Sequence, residues 1–280
     1  MIDGKVFERE YHYFDINMQE WMAPKPFGLS GCFRLRNEEE FMVQAVESFL
    51  PWLDEAVLVV QPSDDDTRLR AHDLVMMYPD KVRVELYPHI PTQFNTPDHF
   101  NLPTNSVRHF VQLSNWALSK CRYSWIAKVE GDVLALSTFA EMRRKIERYP
   151  DRHAYYGMVI LNLAGKNCDQ ISMTNPRNHG WDEAVFNNDP TKFHFVRHSK
   201  WETVHTGGHT ECMGWMLHHM KRCKAKYCSG FGDEHWDTFD RENVRRALAL
   251  YNSTNQGYPA PDDPLGAEVL YEQTAFSEAQ

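Results

Sequence analysis

From about residue 29 to residue 149 the chain alternates short apolar runs with segments of helical period, and this alternation constrains the fold more than any other feature. LSGCFRLR (29–36) reads as a strand. In the stretch that follows, Phe41, Met42, Ala45, Val46, Phe49 and Leu50 recur on one helical face. EAVLVV (55–60) is a continuous apolar run, as expected for a strand covered on both sides. After the polar turn PSDDDT come a helix ending near Tyr78, the strand VRVEL (82–86) and a long loop over 88–105 with four prolines. Loops of that length in compact domains are usually lids or binding loops. A helix from about Ser106 to Cys121 leads into the strand SWIAKVEGDVLAL (124–136). Thr138 and Glu141 then form a capping-box pattern before Phe139, Met142, Ile146 and Tyr149 on one helical face. Strand and helix in strict alternation predict an α/β fold, a mostly parallel central sheet with helices on both faces.

The second half is less regular. YYGMVILNL (155–163) and KFHFV (192–196) read as strands, Thr210 to Met220 as a helix, and the tail after Asn252 is rich in Pro, Gly and Asp. With 280 residues, 42% hydrophobic and 25% charged, the chain has the composition of one globular domain with extensions. A net charge of −9 with no Lys/Arg run longer than three argues against a nucleic-acid groove or an anionic membrane surface. The first 28 residues have neither a basic start nor an apolar core, so no signal peptide is expected, and no apolar run is long enough for a transmembrane helix. The six cysteines form no CxxC pair, which fits reduced thiols in a cytoplasmic protein.

Chemistry concentrates at strand ends. In an extended strand Glu130 and Asp132 point the same way, and parallel α/β sheets bind ligands at the carboxyl ends of their strands. Two carboxylates projecting together suit a hard divalent cation, Mn²⁺ or Mg²⁺, and Gly131 between them would let a ligand approach the backbone. Taken alone, Glu-Gly-Asp reads sooner as a solvated acidic turn. The strands before it end in Arg36-Asn37-Glu38 and in Ser63-Asp64-Asp65-Asp66-Thr67, so three strand ends carry polar groups.

In RNEEEFMVQAVESFLPWLDEAVLVVQPSDDDT and NWALSKCRYSWIAKVEGD the chain resembles family 2 type glycosyltransferases of the GT-A (Rossmann-like) fold, with the parts in the expected order over about residues 29–136. The resemblance implies a transferase that moves a sugar from a nucleotide-diphosphate donor to a glycan, glycolipid or other acceptor hydroxyl, as in polysaccharide biosynthesis. Glu130-Gly131-Asp132 would be its DxD-like motif, with Asp132 and Glu130 at a metal that bridges the diphosphate. Arg36, Asn37, Glu38, Gln61, Ser63, Asp65, Arg108 and Glu130 would hold the nucleotide sugar. Glu130 stands where the family usually has Asp, and Gln61 where it often has a base-binding Asp, which leaves the choice of nucleotide open. The chain then divides into an N-terminal arm (1–28), a nucleotide-sugar half (29–136), an acceptor-side half (137–251) and a C-terminal tail (252–280).

In VHTGGHTECMGWMLHHMKRCKAKYC (204–228) the resemblance nominates His219 as a third metal ligand, with His218 close behind. Glu211, after Gly207-Gly208, is the candidate general base, with Asp182 and Glu183 as rivals; a helix N-terminal acid is its plain structural reading. Cys212, His218 or His219, Cys223 and Cys228 lack the short cysteine pairs of structural zinc sites. FGDEHWDTFD (231–240) reads as a sugar-stacking loop or as a solvated loop with Trp236 in the core, and the Tyr11–Phe14 stretch with Trp21 as packing or a homodimer contact. Two other functions remain: a non-catalytic nucleotide- or carbohydrate-binding homologue, and a sugar-phosphate nucleotidyltransferase, whose Gly-rich phosphate loop GCFRLRNEE lacks.

Overall fold

The computed structural model describes residues 15–94, 96–164, 170–173, 183–198, 201–224 and 237–239. After a short helix α1 (Met18–Trp21), the chain runs β1 (Leu29–Leu35), α2 (Met42–Phe49), β2 (Glu55–Val60), α3 (Thr67–Met77) and β3 (Val82–Leu86). It continues through α4 (Pro97–Asn101), α5 (Phe110–Ser119), β4 (Trp125–Glu130), β5 (Val133–Ala135) and α6 (Phe139–Arg148). The remaining strands are β6 (Ala154–Ala164), β7 (Gln170–Met173), β8 (Ala184–Asn187), β9 (Phe193–His198), β10 (Trp201–Thr206), β11 (His209–Arg222) and β12 (Asp237–Phe239).

Among the described residues a ten-stranded sheet runs β12-β7-β6-β8-β4-β1-β2-β3, with β11 beside β6 and β5. The β3-β2-β1-β4 half is parallel throughout, whereas β8 joins β4 antiparallel and opens the mixed half. The α/β architecture expected of the alternating pattern is therefore observed, parallel where strand and helix alternate and less regular after it. All six residues of β2 are buried, as a strand covered on both faces requires.

Two apolar layers sandwich the sheet. On one face Phe33, Leu35, Leu58 and Val129 meet Val46 and Phe49 of α2, Leu74 of α3 and Phe139 and Ile146 of α6. Phe33, Phe49 and Phe139 form an edge-to-face chain with centroids 5.9 and 5.1 Å apart, the arrangement that aromatic quadrupoles favour. On the other face Val57, Val59 and Ile126 meet Leu113, Trp116 and Ala117 of α5 and Phe193 and Phe195 of β9.

Several local readings change. Residues 209–222 form a strand, not the helix predicted over Thr210 to Met220. Met213, Met216, Leu217 and Met220 match a helical period, but Met216 and Leu217, successive residues on opposite faces of the strand, are both buried, and a strand buried on both faces can carry the same spacing. Register shifts interrupt its pairing with β6 between Cys212 and Trp215, where Gly214 takes φ +82°, a conformation open to glycine. Gly207-Gly208 accordingly turns β10 into β11 rather than into a helix. Thr138 precedes α6 without a side-chain capping bond, so the capping box does not form. The 88–105 loop holds α4, capped by the Thr96 side chain. Trp21 is a packing residue whose indole N–H donates to Asn188 Oδ1 at 2.8 Å. Tyr11–Phe14, Asp182, Cys168, Cys228, Trp236 and the tail lie outside the described residues.

Candidate functional site

The site lies where β4 ends. Arg34 of β1 pairs in register with Glu130, the last residue of β4, and Gly131-Asp132 turns the chain into β5. β11 runs antiparallel to β5 with His219 opposite Val133, and the Met220 N–H donates to the Asp132 carbonyl at 2.8 Å. This ladder carries His219 to the acids. Its Nε2 is 3.3 Å from Asp132 Oδ1 and 4.0 Å from Glu130 Oε2. Ligand atoms of Glu130, Asp132 and His219 all lie within 4.8 Å of one another. The Asp132 side chain is 4% exposed, that of His219 15% and that of Glu130 39%, so the group opens to solvent on the Glu130 side.

The tautomer of His219 is fixed by a neighbour. Nδ1 is 2.9 Å from Asn162 Oδ1, and an amide oxygen can only accept, so Nδ1 carries the proton. Nε2 then presents a lone pair to the two carboxylates, and it is buried without a hydrogen-bond partner. A neutral imidazole that donates its far N–H to an oxygen and turns its bare nitrogen toward carboxylates is the arrangement of a metal ligand. Two carboxylates and one imidazole fit a divalent cation of intermediate hardness.

Behind the acids lies Lys224, buried just past β11. Its Nζ is 2.6 Å from Asp132 Oδ2 and 2.7 Å from Glu38 Oε2. Burial alone would raise the Asp132 pKa, and the Lys224 ammonium 2.6 Å away opposes it and favours the carboxylate. Burial, with the Asp132 charge next, pushes Glu38 up to about 7 against the pull of Lys224.

Gly131 has a different role from the one expected. A Cβ there would lie 2.6 Å from Leu35 Cδ2 and 2.8 Å from Glu38 Cγ, so the glycine admits the turn after β1 rather than a ligand. Asn37, Ser63 and Asp65 likewise turn to their neighbours. The Asn37 N–H donates to Ser63 Oγ at 3.2 Å, Asn37 Oδ1 accepts from the Asp64 N–H at 2.9 Å, and Ser63 Oγ donates to the Gln61 carbonyl at 3.1 Å. Asp65 accepts from the Glu39 N–H at 3.2 Å and from the Thr67 N–H at 3.0 Å, bonds that keep its pKa low despite burial. Asn37 sits at φ 57°, a left-handed position that Asn tolerates. These groups clasp the turns after β1 and β2 together. Gln61 is buried at the end of β2.

Arg36 and Arg108 come together on a cleft of about 930 Å³, with Thr92, Phe94, Asp98 and Phe110 also in its wall. Phe94 and Phe110 stack at 4.1 Å. Both arginines are exposed. The 88–105 loop is docked over α5: the Arg197 Nε donates to His109 Nε2 at 3.1 Å, and its two Nη groups donate to the carbonyls of Phe100 and Leu102.

Glu211 is not in this site. It pairs with Tyr156 of β6 while His219 pairs with Asn162, six residues further, which separates them by roughly 20 Å along the strand. Its carboxylate binds Lys145 Nζ at 2.7 Å, a contact that leads in lowering its pKa. His218 is buried on the opposite face of β11 from His219. Glu183 is buried 3.7 Å from Lys128 Nζ. Cys212 and Cys223 are buried and lie outside the Glu130, Asp132 and His219 group. Lys224 and Asn162 went unpredicted. Asn162 had a signal, as the one amide in the apolar run AYYGMVILNLA, whereas nothing local marks Lys224.

No family profile and no curated protein matches the chain. Among solved structures it is similar to S. aureus TarS 1–349, at 11% identity over 84% of this chain and 67% of that one, with a TM-score of 0.43. It is also similar to M. tuberculosis glucosyl-3-phosphoglycerate synthase in complex with Mn²⁺, UDP and phosphoglyceric acid, at 10% identity over 80% and 89% of the two chains, TM-score 0.42. A mycobacterial protein is matched at 15% identity over 52% of this chain, TM-score 0.34, and the present chain spans 44% of its length. Among the described residues no helix is long and apolar enough to cross a membrane.

Proposed function

We propose that the protein is a glycosyltransferase that uses a nucleoside-diphosphate sugar and a divalent cation, Mn²⁺ or Mg²⁺. The observation that carries this reading is the unpartnered Nε2 of His219, turned by Asn162 toward Glu130 and Asp132 at the carboxyl end of a parallel strand. Asp132, Glu130 and His219 would hold the cation, which when bound supplies Lewis-acid stabilisation of the diphosphate leaving group. The imidazole in the donor set favours Mn²⁺ over Mg²⁺. Arg36 and Arg108, on the cleft beyond the β1 turn, would bind the nucleotide, with guanidinium groups suited to phosphate oxygens or to a base edge. Their cleft is walled by the docked 88–105 loop, which would shield the donor from water. The acceptor would be a glycan, glycolipid or other hydroxyl compound.

The test is thermal unfolding with UDP, GDP, TDP or CDP, each with Mn²⁺, with Mg²⁺ and with chelator. A ligand at about 100 times its Kd adds roughly 2.7 kcal/mol, a shift of about 5–10 °C for a chain of this size. One nucleotide stabilising only when metal is present supports the reading. Stabilisation indifferent to chelator, or by none of the four, overturns it.

A further inference from the structure

We propose that Lys224 is a positioning residue that sets the charge and the open coordination of the Glu130, Asp132 and His219 centre. The inference rests on reading that group as a metal site and adds a residue that the donor set alone does not include.

Lys224 is 3% exposed and gathers three parts of the fold, since it lies just after β11 and binds the turns after β1 and β4 through Glu38 and Asp132. A lysine ammonium is strongly hydrated, so its burial needs compensation, and the two carboxylates at 2.6 and 2.7 Å provide it. The consequence for Asp132 is a division of labour between its oxygens. Oδ2 faces Lys224, and Oδ1 is left 3.3 Å from His219 Nε2. Asp132 is thereby restricted to one-oxygen ligation, and Glu38, whose Oε2 is also held by the ammonium, is kept behind the centre.

The charges agree. Glu38, Glu130 and Asp132 supply −3, and Lys224 returns +1, leaving −2 to face a divalent ion. Without the lysine the ammonium charge beside the centre is gone, Asp132 would gain a second free oxygen, and Glu38 would be released to approach. Each of the three changes tightens the hold on a bare cation. One unit charge a few ångströms from a divalent ion alters its affinity by about tenfold or more, even at water-like dielectric. Lys224 therefore keeps metal binding loose and leaves coordination positions for diphosphate oxygens, so that the cation arrives and departs with the nucleotide.

The experiment is a titration of bare Mn²⁺ at pH 8, followed by electron paramagnetic resonance of the free ion, on the full chain and its variants. Lys224→Met should bind Mn²⁺ at least about tenfold more tightly than wild type, while its metal-free form melts earlier. Lys224→Arg, which keeps the charge, should stay within a few-fold of wild type. The double variant Lys224→Met/Glu38→Gln also removes the carboxylate that Lys224 holds back, is easier to fold, and should bind Mn²⁺ less tightly than Lys224→Met. A structural ion pair predicts lower melting temperatures with unchanged Mn²⁺ affinity in all variants, and that result, or weaker binding in Lys224→Met, overturns the proposal. Wild type that binds no Mn²⁺ overturns the metal reading itself, an outcome distinguishable from failure of the lysine's role alone.

Discussion

Replacing Gly131 by alanine tests how closely the turns after β1 and β4 are packed. The added Cβ would lie 2.6 Å from Leu35 Cδ2 and 2.8 and 2.9 Å from Glu38 Cγ and Cβ, all well inside van der Waals contact. Gly131 is not among the positive-φ residues, so the substitution adds no backbone strain and its effect is steric. Leu35 is fully buried against α2 and cannot swing away, which leaves Glu38 to move. Overpacking of a fixed core contact costs about 1–3 kcal/mol. For a chain of this length that corresponds to a fall in Tm of roughly 3–10 °C. Because Glu38 shares Lys224 with Asp132, the same change should disturb the metal centre, so Mn²⁺ affinity should change with Tm. The assay is thermal unfolding in chelator, followed by a Mn²⁺ titration of the folded variant. A Gly131→Ala protein with wild-type Tm and affinity would refute the steric reasoning.

Three other perturbations have defined outcomes. Asn162→Leu removes the acceptor that fixes the His219 tautomer and should weaken Mn²⁺ binding about 10–100-fold while changing stability by only about 1 kcal/mol, readable by titration and denaturant unfolding. His109, its pKa lowered by burial and by Arg197 and His99 to about 4, is neutral in the fold; between the ordinary histidine value and 4 the unfolded chain binds the extra proton. Stability from this residue is therefore complete above the ordinary value and lost as pH falls toward 4, and hydrogen exchange should show the 97–102 segment loosening there first. Glu211→Gln, remote from the centre, should leave Mn²⁺ affinity and transfer unchanged, and a large loss of transfer would return that residue to candidacy as base.

The parallel half of the fold was legible because its elements obey one period each. EAVLVV is apolar throughout and became β2 over those same residues, and the Phe41 to Leu50 stripe became α2. β11 was misread because it is buried on both faces around Met216 and Leu217, and the resulting apolar spacing also satisfies a helical stripe. At the candidate site, strand polarity nominated Glu130 and Asp132, and the family resemblance nominated His219 near the end of a misassigned element. The polar turn residues have a structural role that the sequence did not signal. Asn37, Ser63 and Asp65 have the composition of a ligand loop, but turns in contact must satisfy their own N–H groups, and these residues do so for each other. Lys224 joins Glu38 across 186 positions of sequence, a pairing with no local signature.

The most direct test of a metal centre at Glu130, Asp132 and His219 is pulsed electron paramagnetic resonance of Mn²⁺ bound to protein carrying ¹⁵N-histidine, for wild type and His219→Ala. A single bound Mn²⁺ with one histidine nitrogen coupling, lost in His219→Ala, is the predicted result. Mn²⁺ that binds without a nitrogen coupling, or equally well in His219→Ala, would contradict it.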